Sequence, residues 1–437
     1  MTRPLWDKGN TRDLDADAQR FCAGDDVLLD RVLLPHDVRA SKAHVAGLAR
    51  IGVLTDSEAN ALLAGLDEFS ASLASGAFVL DDRFEDGHSA IESFLNDRLG
   101  EVGRKVHTGR SRNDQVLVAI RLYVRDQLAT LQTRCLDIAA VCLQRAHATA
   151  ELAMPGYTHL QRAVPTSFAA LLAGHAEAML DDAEVAAGAA RVLDGCPLGT
   201  AAGHGVNLPL DRDGVARELG FSRVQVSPVY AQNSRGKLEL LAVQALHQAL
   251  LDLRRLAWDL SLFATAEFGF VRLPDAYTTG SSIMPNKRNP DVVELLRALP
   301  AVAEGSMSEL AALLSLPSGY HRDLQATKAP VLRAFERGLQ GLALVPALVA
   351  QLELDAARMR AAIDPELHAT DRAIELARTG VAFRDAYRQA AAEMQSFADR
   401  TPEASLRARV SLGGAGNLGL ERLEARLAAL RGNNLHT

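Results

Sequence analysis

From Arg110 to Met154 the chain runs 45 residues without a glycine or a proline. Inside that stretch Leu117, Ile120, Val124, Leu128, Leu131, Cys135, Ile138 and Cys142 recur every three or four positions. A strand would alternate with period two. This spacing predicts one long helix with an apolar seam, as in a bundle or coiled coil. Such a helix is several times the globular average, so few folds accommodate it. The pattern returns over 237–268, with Leu240, Val243, Leu250 and Trp258, and over 166–194, where Gly174 and Gly188 are the weak spots. A fourth helix is predicted over Asp291–Ser315 with a kink at Pro300, and a fifth over much of 329–360. Five such helices side by side make an elongated central bundle with more lateral surface than one subunit can cover, so a symmetric oligomer is expected.

The flanks read differently. Residues 1–109 hold shorter helical runs such as 39–50 and 56–74, and 362–437 holds short helices with a break at Gly413, Gly414 and Gly416. The expected division is therefore an N-terminal helical domain (1–109), a central long-helix bundle (110–361) and a C-terminal helical domain (362–437). The fold class is all-α: aromatics are 5% and helix formers dominate.

Net charge is -7 and the charges are scattered. No basic block points to nucleic acid and no basic amphipathic stretch to a membrane surface. Met1–Asn10 lacks the apolar core of a signal peptide, and no apolar run is long enough for a bilayer, so a soluble cytoplasmic protein is expected. The four cysteines, Cys22, Cys135, Cys142 and Cys196, form no CxxC and are expected as buried thiols.

Three polar, turn-rich segments interrupt the helices, and such segments are where a rigid scaffold displays functional groups. The first, His107-Thr108-Gly109-Arg110-Ser111-Arg112-Asn113-Asp114-Gln115, sets two guanidiniums, a hydroxyl and an amide at a helix N-terminus. That end suits a carboxylate ligand; plain helix capping is the competing reading. The second, Met154 to Pro165, reads as a loop fixed by prolines that holds Thr158 and His159. A histidine there is either a proton carrier or a structural hydrogen-bonder. The third, Thr279 to Asp291, begins with Gly280, Ser281 and Ser282 and continues to Lys287 and Asn289. A flexible hydroxyl loop with a cation can close over an anionic substrate. A polar surface turn would leave Ile283 and Met284 exposed. No HExxH, metal-ligand cluster, Walker A loop, GxGxxG or GxSxG is present. The expectation is acid–base chemistry on a polar substrate with neither metal nor cofactor.

The third segment, Gly280-Ser281-Ser282-Ile283-Met284-Pro285-Asn286-Lys287-Arg288-Asn289-Pro290, resembles the GSSxMPxKxNP signature of the fumarase/aspartase superfamily at every fixed position. The first resembles the HTGRSRNDQ stretch, and the second the MPGYTHLQRAxP stretch, of its argininosuccinate lyase and δ-crystallin branch. Ala369-Thr370-Asp371 and Gly380-Val381-Ala382-Phe383-Arg384-Asp385-Ala386 are similar to that branch's C-terminal patches.

The resemblance implies a homotetramer whose active sites combine loops from three subunits. It also implies release of fumarate from argininosuccinate by anti elimination through an aci-carboxylate carbanion, with arginine as the other product. Ser281 would take the Cβ proton and His159 would handle the proton on the leaving nitrogen. Lys287 and Asn289 would stabilise the developing dianion, and Glu294 would pair with Lys287 or orient His159. Arg112, Asn113, Thr158, Asn289, Tyr320, Gln325 and Lys328 are the implied substrate contacts.

Three segments depart from the family pattern. Phe21 to Asp26 lacks a family serine, Asn233-Ser234-Arg235-Gly236 replaces a Ser-Asp-Arg-Asp turn, and Thr200 to Gly203 is altered. A sister lyase acting on adenylosuccinate, aspartate or malate, and a non-catalytic crystallin-like protein, are the alternatives. His107–Gln115 argues against the first, and the presence of Ser281 and His159 against the second.

Overall fold

The computed structural model describes residues 15–81 and 83–432; the expectation for Met1–Asn10 lies outside them. The fold is all-α, with small two-stranded sheets. Its long helices are Asp26–Arg50, Arg112–Ala148, Phe168–Leu193, Lys237–Phe263, Asp291–Leu313 and Lys328–Ala350. No helix among the described residues is long and apolar enough to cross a membrane.

Local chemistry sets several of the helix ends. Thr55 and Glu58 form a capping box that starts Asp56–Ala74, and Asp86 with Ser89 does the same for Gly87–Leu99. Lys237–Phe263 begins beyond Gly236, whose φ of 82° and whose approach to Leu314 and Thr327 leave no room for a side chain. Glu239 Oε2 accepts the Gly236 N–H at 2.5 Å.

Three boundaries differ from the sequence expectation. The helix expected over 39–50 starts at Asp26 and carries Pro35 within it, because buried Leu33, Leu34 and Val38 hold it to the core on both sides of that proline. The fifth stretch stops at Ala350; Glu353–Leu354 pairs with Val271–Arg272, and Asp355 caps a new short helix, Ala356–Ala361. The Met154–Pro165 segment is not an irregular loop. Ala153–Thr158 and Gln161–Ser167 form an antiparallel hairpin with a bulge at Gly156. Pro155 and Pro165 face each other, so their missing donors fall on one rung.

The chain forms two compact units, and each of the five predicted long helices gives one end to each. The first comprises residues 1–129, 188–244 and 303–336. Its main core packs Leu34, Val38, Leu48, Leu62, Leu66, Phe69, Ile91 and Leu95. The second comprises 130–187, 245–302 and 337–437. There Tyr157, near the turn of the hairpin, meets Phe263 and Phe268, with ring centroids at 6.2 and 5.6 Å. Cys135, Cys142 and Cys196 are buried free thiols, as expected, whereas Cys22 is exposed on the short helix Ala16–Ala23.

Candidate active site

In the second unit the hairpin displays its turn outward. Thr158 pairs with Gln161, and between them His159 and Leu160 have φ of 55° and 58°. Two central residues at positive φ are the mark of a type I′ turn, which favours Asn and Gly. Here neither position is Asn or Gly, and each costs roughly 1–2 kcal/mol in that region. Both residues are exposed, Leu160 at 74%. Strain at a displayed residue suggests function.

The Ser281 segment, also in the second unit, is closed at its base by an antiparallel bridge between Thr279 and Asn289. Their backbones exchange hydrogen bonds of 3.0 and 2.8 Å. Asn289 Nδ2 donates to the Gly280 carbonyl at 3.3 Å, so its side chain braces the start of the turn. Ser281 Oγ accepts the N–H groups of Ile283 at 3.3 Å and Met284 at 3.1 Å. Donors aimed at a hydroxyl oxygen favour its alkoxide, the form a serine needs in order to act as a base. Lys287 is exposed, with its backbone N–H on Met284 O at 3.1 Å. Among the described residues its ammonium has no acidic partner. Glu294 pairs with Arg297 at 3.5 Å, not with Lys287 or His159. No hydrogen bond joins His159 to Ser281 within the chain.

The first unit treats its candidates differently. Arg112 opens the helix Arg112–Ala148 and is held by Glu85 at 2.9 Å and by Asp86. Arg110 is buried, donating to Ser41 Oγ at 2.9 Å and Val106 O at 2.8 Å. Both guanidiniums of the first segment are thus met by the protein itself. Helix capping is present too. Ser111 Oγ accepts the Asn113 N–H, and Asp114 Oδ1 accepts the Ser111 N–H at 2.9 Å. Asp114 Oδ2 then takes the N–H groups of Gly199 and Ala201 at 3.0 and 2.9 Å. This fixes the altered Thr200–Gly203 turn against the helix start. The half-buried Asn113 side chain meets no partner among the described residues, which leaves its amide open to a ligand.

Lys328 is 2% exposed, with its ammonium 3.0 Å from Asp26 and 2.7 Å from Asp30. Two of its three donors are engaged. Gln325 Nε2 donates to the carbonyls of Cys22 and Ala23 at 3.0 and 3.3 Å, and Arg322 reaches Cys22 O at 2.9 Å. The Phe21–Asp26 segment is therefore gathered by residues of 322–328. Tyr320 is half-buried, with buried Arg235 6.0 Å from its ring.

Burial shapes the charges of this unit. Burial raises the Asp26 carboxyl, with Lys328 opposing. Asp86 is raised by burial too, but His88 and Arg112 outweigh it and hold the group below the usual carboxylate range. Burial and the Arg110 charge push His107 down to about 4, so it is neutral at physiological pH. For buried His88, Asp37 outweighs burial and raises the imidazole, and the two are in direct contact.

Arg112, Asn113, Tyr320, Gln325 and Lys328 thus belong to the first unit and Thr158, His159, Ser281, Lys287, Asn289 and Glu294 to the second. The acidic set Asp26, Asp30, Glu85 and Asp86, which holds Arg112 and Lys328, was not anticipated. The run Glu85-Asp86-Gly87-His88 was its only local signal.

A family model described as Lyase matches residues 12–305. Solved structures share the fold. EDDS lyase in complex with formate has a TM-score of 0.76 at 23% identity, covering 97% of this chain and 91% of that one. Recombinant class II fumarase from Schistosoma mansoni has 0.71 at 15%, covering 92% and 90%. The family model and the fold together define a helical lyase with a fumarase/aspartase-like fold. Argininosuccinate lyase of Xanthomonas axonopodis pv. citri is 56% identical over 432 residues, 99% of this chain and all of that protein. The enzyme of the same name from Stenotrophomonas maltophilia K279a is 55% identical over 98% of this chain and all of that protein. The chain belongs to the argininosuccinate lyase family.

Proposed function

We propose that the protein cleaves argininosuccinate to arginine and fumarate, the last step of arginine biosynthesis, as a cytoplasmic enzyme without cofactor, nucleic-acid or membrane partner. The observation that carries the mechanism is Ser281, an exposed-turn serine whose Oγ already accepts two backbone N–H groups. Ser281 removes the Cβ proton of the succinyl part, and the electron pair passes into the adjacent carboxylate as an aci-carboxylate. Its collapse forms the C=C bond of fumarate and breaks the C–N bond, while His159 serves the proton of the leaving guanidino nitrogen. A proton beside a carboxylate is weakly acidic, so the developing dianion needs cations and N–H groups aimed at it. Lys287 supplies a charge that has no acidic partner among the described residues, and Asn289 braces the turn while facing the substrate. Glu294 acts as an auxiliary carboxylate through Arg297.

In this reading Asn113, Thr158, Tyr320 and Gln325 line the substrate, Lys328 offers its third N–H to a carboxylate, and Arg112 adds positive charge. The assembly is a homotetramer built on the central segment 110–361, flanked by 1–109 and 362–437, with each site shared between subunits. Two observations support this. No hydrogen bond joins His159 to Ser281 within one chain, and each is followed by exposed apolar residues: Leu160 at 74%, Ile283 at 82% and Met284 at 43%. Apolar side chains at the tips of functional turns suit burial against another surface.

The test is to mix the purified protein separately with argininosuccinate, adenylosuccinate, aspartate and malate and to follow the ultraviolet absorbance of fumarate. Release from argininosuccinate alone is expected. No release from argininosuccinate would sink the proposal, and release from another substrate alone would reassign the amine.

A further inference from the structure

The elimination gives no task to Ala369-Thr370-Asp371, one of the segments that carried the family resemblance. In the second unit Asp371 is nearly buried, at 11% exposure, and takes Arg409 at 2.8 Å on one carboxylate oxygen. The Ser405 hydroxyl donates to the other, and His368 Nδ1 lies 3.6 Å from it. Arg409 does not stop there. Its Nε donates to the Pro165 carbonyl at 3.1 Å, and Pro165 lies in the strand Gln161–Ser167 that carries the His159 turn. A second arginine, three positions past His159, repeats the link. Arg162 donates to Ala362 O at 3.0 Å and pairs with Asp364 at 2.6 Å.

A turn with two non-glycine residues at positive φ does not hold its shape unaided; its surroundings must determine it. We infer that Arg409 and Asp371 form a clamp through which the C-terminal segment positions His159, with Arg162 and Asp364 as a weaker second jaw. The inference rests on the reading of His159 as a proton carrier. All four are positioning residues, because none is placed on the substrate. The ranking follows from burial. The Arg409–Asp371 pair is largely withdrawn from water and shares Ser405, so its charge-assisted bonds are strong. Arg162 and Asp364 are 44% and 45% exposed, where an ion pair contributes little. A guanidinium satisfies a carboxylate and a carbonyl at once through its fork; an ammonium at the same place does not reach both.

The test uses the full-length protein and steady-state fumarate release from argininosuccinate. Arg409→Lys and Asp371→Asn are expected to lower kcat about 10- to 100-fold, the scale of a small misplacement of a reacting group. KM should stay within about threefold, since the substrate contacts are untouched. Arg162→Gln should lower kcat only about two- to threefold. Leu160→Gly placed on Arg409→Lys should restore several-fold of the lost kcat, because glycine adopts the turn without strain. A merely structural role predicts no such rescue, and its absence overturns the clamp. Loss of activity in His159→Asn together with wild-type kcat in both Arg409→Lys and Asp371→Asn overturns the clamp alone. Full activity in His159→Asn overturns the assignment of His159 and the clamp with it.

Discussion

The two compact units treat their polar residues in opposite ways. In the second, Ser281, Lys287, Thr158 and His159 stand on turns, with backbone donors or solvent as their neighbours. In the first, Lys328 is sunk between Asp26 and Asp30, and half-buried Arg112 is held by Glu85 and Asp86. A displayed group is free to react and contributes little to folding. A sunken one is held rigidly, and its removal leaves opposite charges buried. The same kind of substitution should therefore read out as activity in one unit and as stability in the other.

The sharpest way to break this comparison is Lys328→Met. It strands Asp26 and Asp30 without their cation, and breaking a buried pair from one side costs about 3–5 kcal/mol. A thermal melt that leaves the protein as stable as wild type would remove the distinction between the units. Combining Lys328→Met with Asp30→Asn should restore part of the loss.

Asp182 shows what an acid does without such a cation. It is 4% exposed, its Oδ2 has no hydrogen-bond partner among the described residues, and burial, with Asp252 and Asp181 nearby, pushes it up to about 8. The folded pKa lies above the unfolded value of about 3.9. Its stability contribution is therefore fully present below about pH 4 and is lost as pH rises toward 8, because the unfolded state ionises first. Asp182→Asn should match wild type near pH 4 and exceed it on the order of 2–3 kcal/mol at pH 8. Equal pH dependence in the two proteins would show that Asp182 ionises normally.

A smaller effect tests the displayed side. Leu160→Gly, alone, removes the strain at φ 58° but also an apolar side chain proposed to be buried against another subunit, so it should lower stability by less than about 2 kcal/mol in denaturant melts. A clear gain of stability would mean that Leu160 stays in water in the assembly, with the strain of the turn uncompensated.

Much of this was legible beforehand for physical reasons. Long helices announce themselves through an unbroken apolar period, and Arg112–Ala148 lies inside the stretch where the period ran. Their ends were less legible, because a cap such as Asp355 divides a continuous helical pattern and a proline such as Pro35 fits within a well-anchored helix. The His159 segment read as a loop because its prolines mask a hairpin; only their placement opposite each other makes the strands possible. Ser281 and His159 stood out because each lies in a compact local motif. The acids around Lys328 could not, since Asp26 and Asp30 meet it across about 300 positions of sequence and no local pattern records such a pairing.

The division between displayed and sunken residues meets its most direct test in Ser281→Ala, with fumarate release and the melting temperature measured on the same preparation. The hydroxyl holds two exposed N–H groups and nothing in the core. The melting temperature should therefore stay within about 2 °C of wild type, while kcat on argininosuccinate falls about a thousandfold or more. A Ser281→Ala protein that melts normally and releases fumarate at the wild-type rate would contradict the account.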